Sequence, residues 1–243
     1  MNKMDIVITM GGLGNRFRQA GYDVPKYMIK AKGKTLFEWS LISLEGFKCN
    51  VDRYIFIAMR DEKEDVERFI VSQCSSLGID NYNIIVIDYL TDGQATTAML
   101  AKKYWTENNG LLVYNIDTYI EPNAMNINQI KGDGFIPCFF GEGDHWSFVR
   151  INNDGRAVEV KEKERILNHC TLGAYYFKSC RLYEKLYNEY YTGSNNLVNG
   201  EKYIAPLYNY LITNNGEVYI CDISSDKVHV LGTPVELKLF LEQ

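Results

Sequence analysis

From residue 5 to residue 115 the chain alternates short apolar runs with segments of helical periodicity, and this constrains its fold more than any other feature. The runs at 5–10, 53–59, 83–89 and 110–115 read as buried strands, too short and too apolar to be amphipathic helices. Between them, 35–46, 61–76 and 94–108 read as helices; Leu36, Trp39, Ile42 and Leu44 fall near one face of the first. Such alternation predicts a mostly parallel sheet with helices on both faces. Beyond Ile120 the pattern changes. Strands are expected at 135–140, 146–151, 157–161 and 171–177, with Asn152-Asn-Asp-Gly155 as a hairpin turn. Helices follow at 178–192 and 202–213 around a polar loop at 193–200, then strands at 217–222 and 227–231. Thr233-Pro234 opens a last helix, threonine as cap and proline in the first turn. No repeat or linker interrupts the chain, so residues 1–243 read as one domain with halves at about 1–145 and 146–243, the second richer in antiparallel strand.

Composition narrows what such a domain can do. At 46% hydrophobic and 23% charged residues the chain can bury an ordinary globular core. A net charge of −5 argues against a nucleic-acid partner, which needs a basic face. No apolar run approaches the roughly 20 residues of a membrane span, and residues 1–10 do not read as a secretion signal. Six cysteines with no CxxC pair point to reduced thiols in a cytoplasmic protein.

Immediately after the first run comes Met10-Gly-Gly-Leu-Gly-Asn-Arg-Phe17. Glycines at the end of a strand let backbone N–H groups approach a ligand and form an anion-binding concavity. Two common phosphate loops are excluded. A dinucleotide fingerprint through Gly12 and Gly14 needs glycine at 17, where Phe17 stands; a Walker A loop ending in Gly33-Lys34-Thr35 needs glycine at 28, where Met28 stands. The Gly-Lys-Thr triplet is therefore expected to be a turn before a helix. What remains is Gly12-x-Gly14-x-Arg16, with Pro25-Lys26 further on. The Arg16 fork and the Lys26 ammonium suit a polyphosphate.

In that setting the chain resembles the sugar-phosphate nucleotidyltransferases. The glycine loop with Arg16, Pro25-Lys26 and Gly33-Lys-Thr-Leu-Phe-Glu-Trp-Ser40 is similar to the family's N-terminal signature. Thr91-Asp-Gly-Gln-Ala-Thr-Thr97 resembles its base-recognition segment, Asn115-Ile-Asp117 its metal-binding strand end, and Glu162-Lys163 with Thr171-Leu-Gly-Ala-Tyr-Tyr-Phe177 its sugar-phosphate segment. Gly232-Thr-Pro-Val-Glu-Leu237 resembles its C-terminal helix start, so the likeness spans nearly the whole chain.

The resemblance implies a Rossmann-like α/β fold of the nucleotide-diphospho-sugar transferase (GT-A-like) type, with a smaller antiparallel acceptor-binding part. It implies an NTP and a small phosphorylated metabolite as partners, a sugar 1-phosphate by default, and Mg²⁺ as cofactor. Arg16 and Lys26 would clamp the triphosphate, Asp117 would hold the metal, and Lys163 the acceptor phosphate. Met10, Gly11, Gly12 and Gly14 would meet the nucleotide through main-chain groups, Gln94 would face the base, and Asn115, counted with the nucleotide-binding residues, would orient Asp117 or simply end the strand. Glu162, Gly173 and Trp146 would shape the acceptor site. Read without the resemblance, Glu162 and Lys163 belong to a charged run, Lys161-Glu-Lys-Glu-Arg165, that could be a solvated hairpin. Trp146, Tyr175 and Tyr176 read equally as core. The short chain is similar to cytidylyltransferase-like capsule enzymes, which implies CTP. A homo-oligomer is compatible with the sequence.

One departure stands out. Many relatives carry aspartate two residues before the final Gly-Thr, and here that position is Val230. His229 and Asp222 are the nearby candidates for a second metal ligand. The departure keeps a non-catalytic nucleotide-binding module open as an alternative, beside a glycosyltransferase of the same fold. The latter expects Asp-x-Asp where this chain has Asn115-Ile-Asp117.

Overall fold

The computed structural model describes residues 3–193 and 196–243; Met1, Asn2 and two positions of the polar 193–200 loop lie outside the described residues. β1 (Met4–Met10), β4 (Val51–Met59), β5 (Tyr82–Ile87) and β6 (Gly110–Asn115) form a parallel block in the order β6-β1-β4-β5. The sheet continues beyond β6 through β12 (Ala174–Phe177), β8 (Gly134–Phe140), β11 (His169–Thr171), β9 (Ser147–Ile151) and β10 (Ala157–Glu162), all antiparallel to their neighbours on that path. β13 (Val218–Asp222) pairs parallel with β8. This is the mixed sheet flanked by helices that the sequence predicts.

The strands of the parallel block read as continuous apolar runs because both faces are covered. Side chains alternate across a strand, and so do their destinations. From β1, Ile6, Ile8 and Met10 enter one core and Val7 the other; from β4, Tyr54, Phe56 and Ala58 face Ile55 and Ile57 across the sheet. The first core is closed by α2 (Leu36–Ile42) through Phe37 and Leu41, and by α3 (Val66–Leu77) through Val66, Ile70 and Cys74. The second is closed by α4 (Gln94–Met99), α5 (Cys180–Tyr191) and α6 (Ala205–Thr213), with Ala98, Tyr183 and Tyr208 among its members.

Local chemistry sets the ends of these elements. The Gly-Lys-Thr triplet is indeed a turn before a helix: β2 (Lys30–Ala31) and β3 (Lys34–Thr35) form a hairpin. Thr35 then caps α2 in a reciprocal capping box with Glu38. The helix expected from 61 starts instead at Val66, capped by Asp65. Asp61 accepts hydrogen bonds from the Lys63 and Glu64 N–H groups and an ion pair from Arg18, a turn rather than a helix start. The strand expected over 171–177 is broken by Leu172-Gly173, where Gly173 takes φ +72°. That break lets β11 pair with β8 and β9 while β12 crosses to β6.

A third cluster joins distant segments. Phe17 of α1 (Asn15–Gln19) packs with Ile29 and Leu36, and with Leu231, Leu237 and Phe240 at the chain's C-terminal end. The residue that spoils the dinucleotide fingerprint is therefore core, 1% exposed. β14 (Val228–Val230) pairs antiparallel with β7 (Thr118–Ile120) and leads into α7 (Pro234–Glu242), capped by Thr233 as expected. Phe17 thus holds the glycine loop against the start of α7.

Candidate active site

The strand order reverses between β1 and β6. β1 continues through α2 on one face to β4, whereas β6 is reached through α4 on the other. A crevice forms at such a switch point, outside the carboxyl ends of the strands. Thr9 lies opposite Asn115 in the ladder, so the glycines after β1 and Asp117 after β6 emerge side by side.

Three cavities meet there, and Asp117 lines all of them. One, of about 420 Å³, is walled by Gly11, Gly12, Lys26, Thr91, Gln94 and Asn115, with Leu90 and Glu201 also lining it. The second, about 480 Å³, lies across the Gln94-Asn115-Asp117 wall; Trp146, Ser147, Glu162, Gly173, Tyr175 and Tyr203 line it. The third, about 290 Å³, lies under the glycine loop and is bounded by Gly14, Arg16, Lys26 and Gly232.

The dividing wall is built from hydrogen bonds. The Gln94 side-chain amide donates to Thr9 Oγ1 at 3.1 Å and to Asn115 Oδ1. Asn115 in turn donates its backbone N–H to Gly173 O at 3.0 Å. A Cβ at Gly173 would stand 2.5 Å from Asn115 Nδ2, so the glycine is required by close approach as well as by its φ. Lys26 Nζ bonds Asp117 Oδ2 at 2.7 Å, both side chains partly exposed. Arg16 lines two of the cavities and has no hydrogen-bond or ion-pair partner among the described residues, so its guanidinium is free to take a ligand.

Glu162 ends β10 on the floor of the second cavity. Burial pushes its carboxyl above the usual glutamate range, against the opposing pull of the Ser147 hydroxyl that donates to it and of the Lys163 charge. The Ser147 hydroxyl also lies 3.4 Å from the Tyr175 hydroxyl, which contacts Thr171 Oγ1 at 3.1 Å, so this floor is a chain of hydroxyls ending on one carboxylate. Lys163 follows with φ +57°, a left-handed conformation rare outside glycine. Its ammonium bonds the Tyr203 hydroxyl at the rim rather than lining the cavity itself.

The structure therefore gathers Gly11, Gly12, Gly14, Arg16, Lys26, Gln94, Asn115, Asp117, Trp146, Glu162 and Gly173 around one crevice, with Lys163 at its edge. Met10, expected to meet the nucleotide, is not brought in: the whole residue is 2% exposed, belongs to the core and lines none of these three cavities. His229 and Asp222 are not brought in. The His229 ring stacks on Tyr119 and packs against Phe240, and Asp222 pairs with His169 Nδ1 at 2.8 Å. Neither lines a cavity that Asp117 opens to. Sequence reading missed Glu201, Tyr203 and Glu236. The first two arrive because Gly93, at φ +137°, packs against the Lys202 backbone, a tertiary contact with no local signal.

No family profile matches the chain. A protein of Encephalitozoon cuniculi (strain GB-M1), named as a probable UDP-N-acetylglucosamine pyrophosphorylase, is 44% identical over 57 residues; the match covers 23% of this chain and only 16% of that protein's length. Among solved structures, the inositol-1-phosphate CTP transferase of T. maritima aligns over 97% of this chain and 92% of its own (TM-score 0.77, 16% identity). A Bacillus anthracis protein described as a glucose-1-phosphate thymidylyltransferase aligns over 98% of this chain and 94% of its own (TM-score 0.79, 16% identity). At that identity these two likenesses speak for the fold alone. The nucleoside-diphosphate-sugar pyrophosphorylase of Vibrio cholerae RC9 goes further: 33% identity and TM-score 0.89 over 98% of this chain and 100% of that one. With a likeness of that identity running end to end, over a crevice built at the strand-order reversal, the chain belongs to the nucleoside-diphosphate-sugar pyrophosphorylases and is a nucleotidyltransferase.

Proposed function

We propose that this enzyme joins an NTP, with CTP preferred, to a sugar 1-phosphate, releasing pyrophosphate and supplying an activated sugar for surface polysaccharide in the cytoplasm. The observation that carries this reading is the Gln94-Asn115-Asp117 wall, with a glycine-lined cavity on one side and a hydroxyl-lined cavity on the other. The chain acts as one domain, residues 1–145 serving mainly the nucleotide and 146–243 mainly the acceptor. The preference for CTP follows the sequence resemblance to cytidylyltransferase-like enzymes.

An oxygen of the acceptor phosphate attacks the α-phosphorus of the NTP. One P–O bond forms as the bond to the leaving pyrophosphate breaks, and the electron pair departs with pyrophosphate. The nucleophile is already an anion, so no side chain has to take a proton. Bringing two polyanions together is the difficulty, and positioning with charge compensation is what the protein supplies. Arg16 is free to grip the triphosphate, and Lys26 sits close enough to exchange its Asp117 bond for a phosphate contact. Glu162 accepts from an acceptor hydroxyl, Trp146 walls the sugar, and Lys163 meets the acceptor phosphate at the rim. Asp117 would hold Mg²⁺. A carboxylate at the cavity junction fits that ion, which takes one or two carboxylates and completes its shell with water and substrate phosphates. Among the described residues there is no group of three or more His, Cys, Asp or Glu poised for a metal. When bound, Mg²⁺ neutralises charge on the phosphate oxygens.

A matrix of NTPs against sugar 1-phosphates and other phosphorylated acceptors, read by pyrophosphate release, tests the reading. We expect CTP with one sugar 1-phosphate to dominate and Asp117→Ala to abolish turnover. Sugar transfer from a nucleotide sugar without pyrophosphate would overturn it.

A further inference from the structure

α2 and α7 begin with the same local pattern, Thr-x-x-Glu, and the two glutamates behave differently. Glu38 turns back and accepts from the Thr35 N–H at 2.7 Å, closing its capping box. Glu236 holds the corresponding place in α7, where Thr233 Oγ1 accepts from the Glu236 N–H at 3.2 Å, yet its carboxylate makes no return bond. Instead Glu236 lines the acceptor-side cavity, and its Oε2 is buried with no hydrogen-bond partner among the described residues. A buried carboxylate oxygen without a donor is costly, and a cation is the natural remedy.

The neighbouring carboxylate is that of Asp117. A Cβ placed on Gly232 would lie 3.4 Å from Asp117 Oδ2 and 3.5 Å from Glu236 Oε2, so both oxygens border the same small space over that glycine. Val230 lines the same cavity and offers no donor atom.

From these contacts we infer that Glu236 supplies the second protein carboxylate for the divalent cation, a role moved from β14 to the first turn of α7. The inference rests on the reading of Asp117 as a magnesium ligand. It goes beyond that reading in assigning the partner and in explaining why valine at 230 is compatible with activity. Asp117, Glu236 and substrate phosphate oxygens make the hard-oxygen set that Mg²⁺ or Mn²⁺ prefers. Lys26 then holds Asp117 only while the cation is absent.

The test is Mn²⁺ binding in the presence of nucleotide, read by electron paramagnetic resonance of free Mn²⁺, on the full chain. Glu236→Gln, nearly isosteric, should weaken binding about tenfold or more. Val230→Asp should tighten binding in the native background and restore much of the loss in the Glu236→Gln background, because it adds a carboxylate beside the same ion. If Glu236→Gln binds Mn²⁺ as the native protein does while Asp117→Ala does not, Glu236 is no ligand and the reading of Asp117 survives. If Asp117→Ala also binds normally, the metal reading itself fails. A folded Val230→Asp protein with unaltered affinity would equally refute the shared site.

Discussion

Replacing Gly173 by alanine should strike the crevice at its dividing wall. The residue sits at φ +72°, where an alanine costs about 1–2 kcal/mol relative to a right-handed conformation. Its Cβ would also come 2.5 Å from Asn115 Nδ2 and 2.8 Å from Asn115 Cγ, distances that no relaxation of Gly173 alone can relieve. Gly173 O is tied to the Asn115 N–H, and Ala174 is in register with Tyr114, so the backbone cannot slide away. The Asn115 side chain must therefore swing, and with it goes the bond from Gln94, worth about 0.5–1.5 kcal/mol. Together these give about 2–3 kcal/mol, a drop of roughly 5–10 °C in melting temperature for a chain of this size. KM should rise for both substrates because Gln94 and Asn115 line both large cavities. The two contributions separate in a double-mutant cycle read by urea and thermal denaturation. In an Asn115→Ala background the same glycine substitution should cost only its conformational part, about 1–2 kcal/mol. An equal cost in both backgrounds would refute the steric argument, and a cost within about 0.5 kcal/mol of zero would refute both parts.

Two further predictions concern the acceptor side. Burial raises the Glu162 carboxyl above its ordinary value, and in the role proposed for it the ionised form accepts from an acceptor hydroxyl. As pH falls through that raised value the carboxylate is lost, so acceptor KM should climb on an acidic limb above the ordinary glutamate range; a limb that persists unchanged in Glu162→Gln assigns it to another group. Lys163→Ala should raise acceptor KM well beyond NTP KM, since the Lys163 ammonium reaches Tyr203 at the acceptor cavity's rim. Parallel loss of both affinities would mark Lys163 as a support for the β10 end.

What could be read in advance, and what could not, follows from how local each cause is. The parallel block was legible because a strand buried on both faces must be apolar throughout, as Ile6, Val7 and Ile8 are. The position of the glycine loop was legible because glycines directly after a buried strand emerge at its carboxyl end, and Gly11, Gly12 and Gly14 do line the crevice there. Period-two alternation already spoke against His229: if position 230 faces the crevice, 229 faces away, and its ring is found on Tyr119. Asp222 could be excluded only by its pairing with His169, a residue 53 positions away in sequence. The break at Gly173 was illegible for the same kind of reason, since its need for glycine comes from Asn115 on another strand. Glu236 is the sharpest case. Its local sequence predicts a capping box, as at Glu38, and the same four-residue pattern yields opposite outcomes in the two helices. The difference lies outside the pattern: Phe17 packs with Leu237 and Phe240 and holds the α7 start against the crevice, where Asp117 faces Glu236 across Gly232. At a helix start free of that packing the carboxylate would bond the cap N–H or water, so the buried, partnerless Oε2 of Glu236 is a product of the tertiary fold, which sets it and Asp117 Oδ2 beside the same glycine.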